Sequence, residues 1–103
     1  MKKILMDNYN ASNESFLEYL HERNSFHVAS FEQLCVCIEC ITKIEVEKET
    51  SSMIMFVYSQ ILKHMIYHFD PTDLSEISNF PSNYIEYLER LEHVVEEYFK
   101  VQE

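Results

Sequence analysis

The sequence contains no glycine and no tryptophan, and it has only two prolines in 103 residues. Without glycine there is no phosphate-cradling loop, so mononucleotide and dinucleotide fingerprints are excluded. The turns of β-sandwiches and barrels lean on glycine as well, which argues against an all-β fold. Basic residues are scarce: eight Lys and Arg stand against eighteen Asp and Glu, for a formal net charge of −10. Phosphate backbones are bound by basic stripes, and the basic residues here are scattered, so no direct nucleic-acid role is expected. Long apolar runs are also missing. The run from Met53 to Val57 is far short of the ~18–20 residues of a membrane helix, so no membrane association is expected.

Met1-Lys2-Lys3 begins like a secretory leader, but Asp7 interrupts the apolar stretch that follows. A leader needs roughly 7–15 apolar residues at that point, and a cytoplasmic protein is expected. The cysteines agree. Cys35, Cys37 and Cys40 are an odd set crowded into one segment, whereas secreted small domains carry spaced, even sets.

What the chain does have is helical periodicity. Residues 13–23 place Phe16, Leu17 and Leu20 on one face and Glu14, Glu18 and Glu22 on the other, with Ser12 as N-cap. Residues 24–29 read as a connector, with Phe26 and Val28 in a brief extended stretch. Ser30, with Gln33 three residues on, opens a second helix whose apolar face runs through Phe31, Leu34, Cys35, Ile38 and Ile41 to about Ile44. Residues 45–51 read as a charged connector or a frayed extension of that helix. A third helix, from Ser51 or Ser52 to His68, is apolar on more than one surface and is expected at the centre of the bundle. Phe56 and Tyr67 lie on its far side and are expected to be covered within the chain. Asp70-Pro71 predicts a stop and then a short helix over residues 71–78. A last helix over residues 83–101 carries the cleanest amphipathic pattern. The expectation is an all-α, compact single-domain bundle of four to five helices spanning residues 1–103.

Chemistry finds little to stand on. Cys37-x-x-Cys40 has no second ligand pair, and two residues of a helix separated by one point about 160° apart, so the three thiols are read as core side chains rather than zinc ligands. His64 and His68 have the i,i+4 spacing of a metal-binding pair but lack the glutamate that follows the first histidine in metalloproteases. They are read as structural, and neither a metal nor another cofactor is expected. No nucleophile elbow or triad spacing appears, and the expectation is a protein that is not an enzyme.

The acidic surfaces are the remaining signal. Glu14, Glu18 and Glu22 stand at successive i,i+4 positions; reversing Glu18 is therefore expected to relieve repulsion and hold or raise stability. The last helix adds Glu86, Glu89, Glu96 and Glu97. Acidic faces steer cationic partners, and tyrosines such as Tyr19 and Tyr87 supply interface anchors. In length, helical content, acidity and lack of enzyme motifs, the chain resembles the small acidic immunity proteins of bacterial toxin–immunity systems, including contact-dependent growth inhibition. The resemblance implies stoichiometric inhibition of a cognate basic toxin, such as a nuclease, by occlusion of its active site. It carries over no residues, since the tyrosine-pair motif of colicin nuclease immunity proteins is missing. Two other readings stay open: a helical homo-oligomer or regulatory adaptor built on Phe56 and Tyr67, and an acidic nucleic-acid mimic that blocks a DNA-binding protein.

Overall fold

In a computed structural model, which describes residues 2–44, 47–72 and 76–101, the fold is all-α. Five helices follow in chain order: α1 (Lys2–Tyr9), α2 (Phe16–Arg23), α3 (Val28–Thr42), α4 (Lys48–Phe69) and α5 (Tyr84–Val101). The described residues contain no strand. α3 packs on α1, α2 and α5, and α4 packs on α1, α2 and α5. One core runs through the molecule, from Leu5, Phe16 and Leu20 past Phe31, Leu34 and Ile38 to Ile61, Leu91 and Tyr98.

The centre is α3, not α4. Seven of the fifteen residues of α3 are buried, against five of the twenty-two of α4. The reason lies in the cysteines. Cys35 and Cys37 are both fully buried, and they point to different neighbours, as their spacing requires. Cys37 lies against the Leu5 backbone of α1, and Cys35 lies within the field of Arg90 on α5. Counted as small apolar side chains, they widen the buried face of α3 on both edges, while Gln33, Val36 and Glu39 stay exposed on the opposite side. Cys40 is half-buried.

α1 is a helix that hydrophobic periodicity does not disclose. Only Leu5 and Asn8 are buried in it, and Asn8 works by hydrogen bonding. Its Nδ2 donates to the Ile4 carbonyl at 2.9 Å, and its Oδ1 accepts the Leu17 N–H at 3.0 Å. A side chain of α1 thus satisfies one of the first amides of α2, groups that have no partner inside their own helix.

Other boundaries shift for local reasons. α2 begins at Phe16 with Ser15 as N-cap, not at residue 13 behind Ser12, because Ala11, Asn13 and Glu14 adopt left-handed backbone conformations (φ 50°, 54° and 61°). α3 begins at Val28 with His27 as N-cap; the His27 imidazole Nδ1 accepts the Ser30 N–H at 3.2 Å, and Ser30 is buried inside the first turn. Val28, expected in a brief extended stretch with Phe26, is instead the first residue of α3. α4 starts at Lys48, so the expected connector over residues 45–51 ends earlier, and its residues 45 and 46 lie outside the described residues. The short helix expected over residues 71–78 is absent from its described part. Pro71 and Thr72 form a turn whose Thr72 N–H and hydroxyl both donate to Asp70 Oδ1, and residues 76–78 are non-helical, while 73–75 lie outside the described residues. The loop before α5 is pinned elsewhere. Asn79 Oδ1 accepts the Phe26 N–H, Asn79 Nδ2 donates to the Phe26 carbonyl at 2.9 Å, and the Ser78 N–H donates to the Asn24 carbonyl at 2.7 Å.

Candidate partner-binding surface

α5 buries Leu91, Val94, Val95 and Tyr98 against the core. The Tyr98 hydroxyl, fully enclosed, is 2.7 Å from Ser51 Oγ on α4 and is satisfied there. With that face fixed inward, the 100° step of the helix turns Glu86, Glu89, Glu92, Glu96 and Glu97 outward, and all five are exposed. Glu92 belongs to this stripe although the sequence reading leaves it out. Its place three residues after Glu89 and four before Glu96 is the signal that would have included it.

The two cations of α5 do little to neutralise the stripe. Arg90 turns toward α3: one terminal nitrogen lies 2.8 Å from Glu39 Oε1, another 3.2 Å from Glu32 Oε2, and Nε also faces Glu32. These contacts raise the guanidinium pKa further above its ordinary value, with Glu32 the larger cause. Lys100 sits 3.8 Å from Glu97, and Glu86 accepts from the Asn83 side chain at the start of the helix. The carboxylates of Glu89, Glu92 and Glu96 make no hydrogen bond or ion pair among the described residues. The field of Glu92 and Glu96 reaches Tyr58 on α4, whose phenol is pushed up first by burial and then by these two carboxylates.

The second acidic set is arranged differently. Glu22 is exposed on α2, but Glu14 precedes the helix and Glu18 is committed to its N-terminus. The Glu18 carboxylate accepts the Glu14 N–H, and the Glu18 N–H donates to Ser15 Oγ at 3.3 Å. The expected stripe Glu14–Glu18–Glu22 is therefore broken at its first member, and its second is a capping residue. α2 packs on α1, α3 and α4, whereas α5 packs on α3 and α4, so the two sets stand on separate parts of the surface.

The tyrosines divide in the same way. The Tyr19 ring stacks on His27 with centroids 4.0 Å apart and carries the Arg23 guanidinium 4.6 Å from its centroid. Tyr87 packs its ring against Phe26 and Phe31 and is half-buried. Phe56 and Tyr67 remain 42% and 41% exposed, and the cover inside the chain expected for them reduces for Phe56 to contact with Tyr9 of α1, 5.0 Å between ring centroids.

His64 and His68 do not converge. His64 Nε2 lies 3.5 Å from His21 Nδ1 on α2, while His68 stacks on Phe80 and its Nδ1 accepts the Ile77 N–H at 2.9 Å. Among the described residues, no group of three His, Cys, Asp or Glu side chains is placed to hold a metal ion, and no helix is long and apolar enough to cross a membrane. A groove of about 410 Å³ between α3 and α5 is lined by Glu39, Thr42, Arg90 and His93; its arginine is the one already engaged by two carboxylates. Comparison with known protein families, curated proteins and solved structures finds no match to this chain.

Proposed function

We propose that this protein is a non-catalytic binding module whose outer α5 face docks a basic protein. We further propose that it serves as the immunity partner of a basic toxin, a nuclease, whose active site it covers. The observation that carries this reading is the α5 stripe. Glu89, Glu92 and Glu96 are exposed on one line of one rigid helix, and Arg90, the nearest cation in sequence, is turned inward to Glu32 and Glu39. Three uncompensated carboxylates held in register are a complement for a lysine- or arginine-lined cleft. A nuclease cleft is such a surface, because it must hold a polyphosphate. Glu86 and Glu97 border the stripe, Tyr87 fixes the helix to the core, and Glu14, Glu18, Glu22 and Tyr19 form a second candidate face.

The proposal expects a basic protein domain encoded beside this chain's gene, and the test uses that domain; a gene neighbourhood without one would count against the immunity reading. Glu89→Lys combined with Glu96→Lys should leave the helical circular-dichroism spectrum unchanged. It should weaken binding measured by calorimetry, by about 2–5 kcal/mol if the carboxylates are desolvated against cations and by less at a rim, and it should abolish protection of cells expressing that domain. Glu22→Lys reports on the α2 face, and the larger loss identifies the docking surface. Full protection by both reversed variants would sink the proposal.

A further inference from the structure

α5 and α4 run antiparallel. Tyr84 meets Phe69 at one end, with ring centroids 5.2 Å apart, and Tyr98 meets Ser51 at the other. Their seam is open to solvent. Along α4 it is bordered by Met55, Ile66 and Phe69, which are 48%, 65% and 56% exposed. Their spacings of eleven and three residues keep them on one flank of the helix, the flank where Tyr58 feels Glu92 and Glu96. Along α5 the same seam is bordered by Ile85, 48% exposed, and by Glu92 and Glu96. Apolar side chains of this size so openly placed on a charged protein mark a contact surface.

We infer that this seam is the docking groove for a cationic amphipathic α-helix of the partner. The inference rests on the reading of α5 as a docking face for a basic protein, and adds the shape of what docks there. The line from Met55 to Phe69 is roughly 21 Å long, the length of about fourteen helical residues. Half-buried Tyr58 and Leu62 fill the gap between Met55 and Ile66, so apolar side chains recur along the seam at three- and four-residue spacing and accept the ridge of a third helix. The apolar face of the incoming helix covers Met55, Ile66, Phe69 and Ile85, and its Lys or Arg flank reaches Glu92 and Glu96. Charge selects this occupant over a second copy of the chain, which would bring a further −10 and set the same glutamates against each other.

The probe is a synthetic fourteen-residue leucine–lysine amphipathic peptide, compared with a lysine–serine peptide of equal charge, each titrated into the intact protein by fluorescence anisotropy and amide NMR. The leucine–lysine peptide should bind at least about tenfold more tightly, gain helical signal, and shift amides of residues 55–69 and 85–96. Ile66→Ser and Glu92→Gln should each weaken it about three- to tenfold, while Val36→Ser, an exposed change on α3, should not. Equal binding of both peptides, or shifts confined to α2, would overturn the groove while leaving an acidic docking face standing. Failure of both peptides to bind anywhere would overturn the groove and the acidic docking face together. A dimer in sedimentation that Ile66→Ser disperses would give the seam to a second copy and overturn the inference.

Discussion

Cys35 and Cys37 stand two residues apart on opposite walls of α3, and both are sealed from water. Burial pushes the Cys35 thiol up to about 12; Arg90 opposes this in part, and Glu32 and Glu39 add to it. Cys37 moves in the same direction, again chiefly through burial. A folded-state value above the unfolded one means that the unfolded chain gives up its thiol proton first as the solution turns alkaline. The contribution is therefore intact below about pH 9, the ordinary thiol value, and is lost as pH rises toward 12. The urea midpoint should stay level over about pH 7–8.5 and fall beyond. Cys35→Ala should cost about 1–2 kcal/mol at neutral pH and show a shallower alkaline decline than the parent. Parallel declines would place the cause elsewhere. At this scale the sequence is legible where burial follows hydrophobicity, as for these two thiols. It is opaque where a buried polar group works through a distant partner. Nothing local to Asn8 announces that its amide caps a helix beginning eight residues on, and an imidazole acceptor such as His27 is not among the usual caps.

Elements of this fold are separated by turns made without glycine, and the 10–15 turn bears the consequence. Ala11 and Glu14 hold left-handed conformations that cost residues with a Cβ about 1–2 kcal/mol. The same turn carries the cap of α2, with Ser15 accepting the Glu18 N–H and Glu18 accepting the Glu14 N–H. Two substitutions should thus act in opposite directions. Ala11→Gly removes the Cβ clash, opposed by the larger entropy of the unfolded chain, and should stabilise by a net of about 0.5–1 kcal/mol. Glu18→Lys removes one cap bond and sets a cation at a helix N-terminus, and should destabilise by about 0.5–2 kcal/mol. This reverses the expectation from charge spacing alone, which treats Glu18 as a member of a repelling row. Thermal melts of the two variants beside the parent decide it, and a Glu18→Lys protein as stable as the parent would remove the capping role. The contrast also shows which elements could be read in advance. α5 carries a full apolar face over eighteen residues, so its period stands out. α1 has two buried positions in eight, one of them polar, and is a helix because α3 and α4 pack on it.

Over the whole molecule, the proposed docking of a basic protein would couple folding to binding through the charge balance. Of the basic residues, Arg90, Lys2, Lys3 and Lys100 are engaged with carboxylates, and a net charge of −10 remains. Self-repulsion of that excess works against the compact state. Raising ionic strength from about 0.01 M to 0.15 M shortens the screening length from ~30 Å to ~8 Å, which weakens repulsion between separate carboxylate sets while sparing the close Arg90 pairs. The melting temperature should therefore rise over this range of sodium chloride. In the proposed function the same carboxylates that repel within the chain would attract a basic partner across the solvent; screening would weaken that attraction too, so on this proposal partner affinity and association rate should fall as the melting temperature rises. Glu89→Lys with Glu96→Lys should flatten both dependences together, because it changes the charge by four units at one face. A parent whose melting temperature ignores salt while its binding remains salt-sensitive would show that repulsion is negligible in the fold and that the acidity acts at the interface alone. A parent whose stability responds but whose binding does not would locate the charge effect in folding and deny the α5 stripe its docking role.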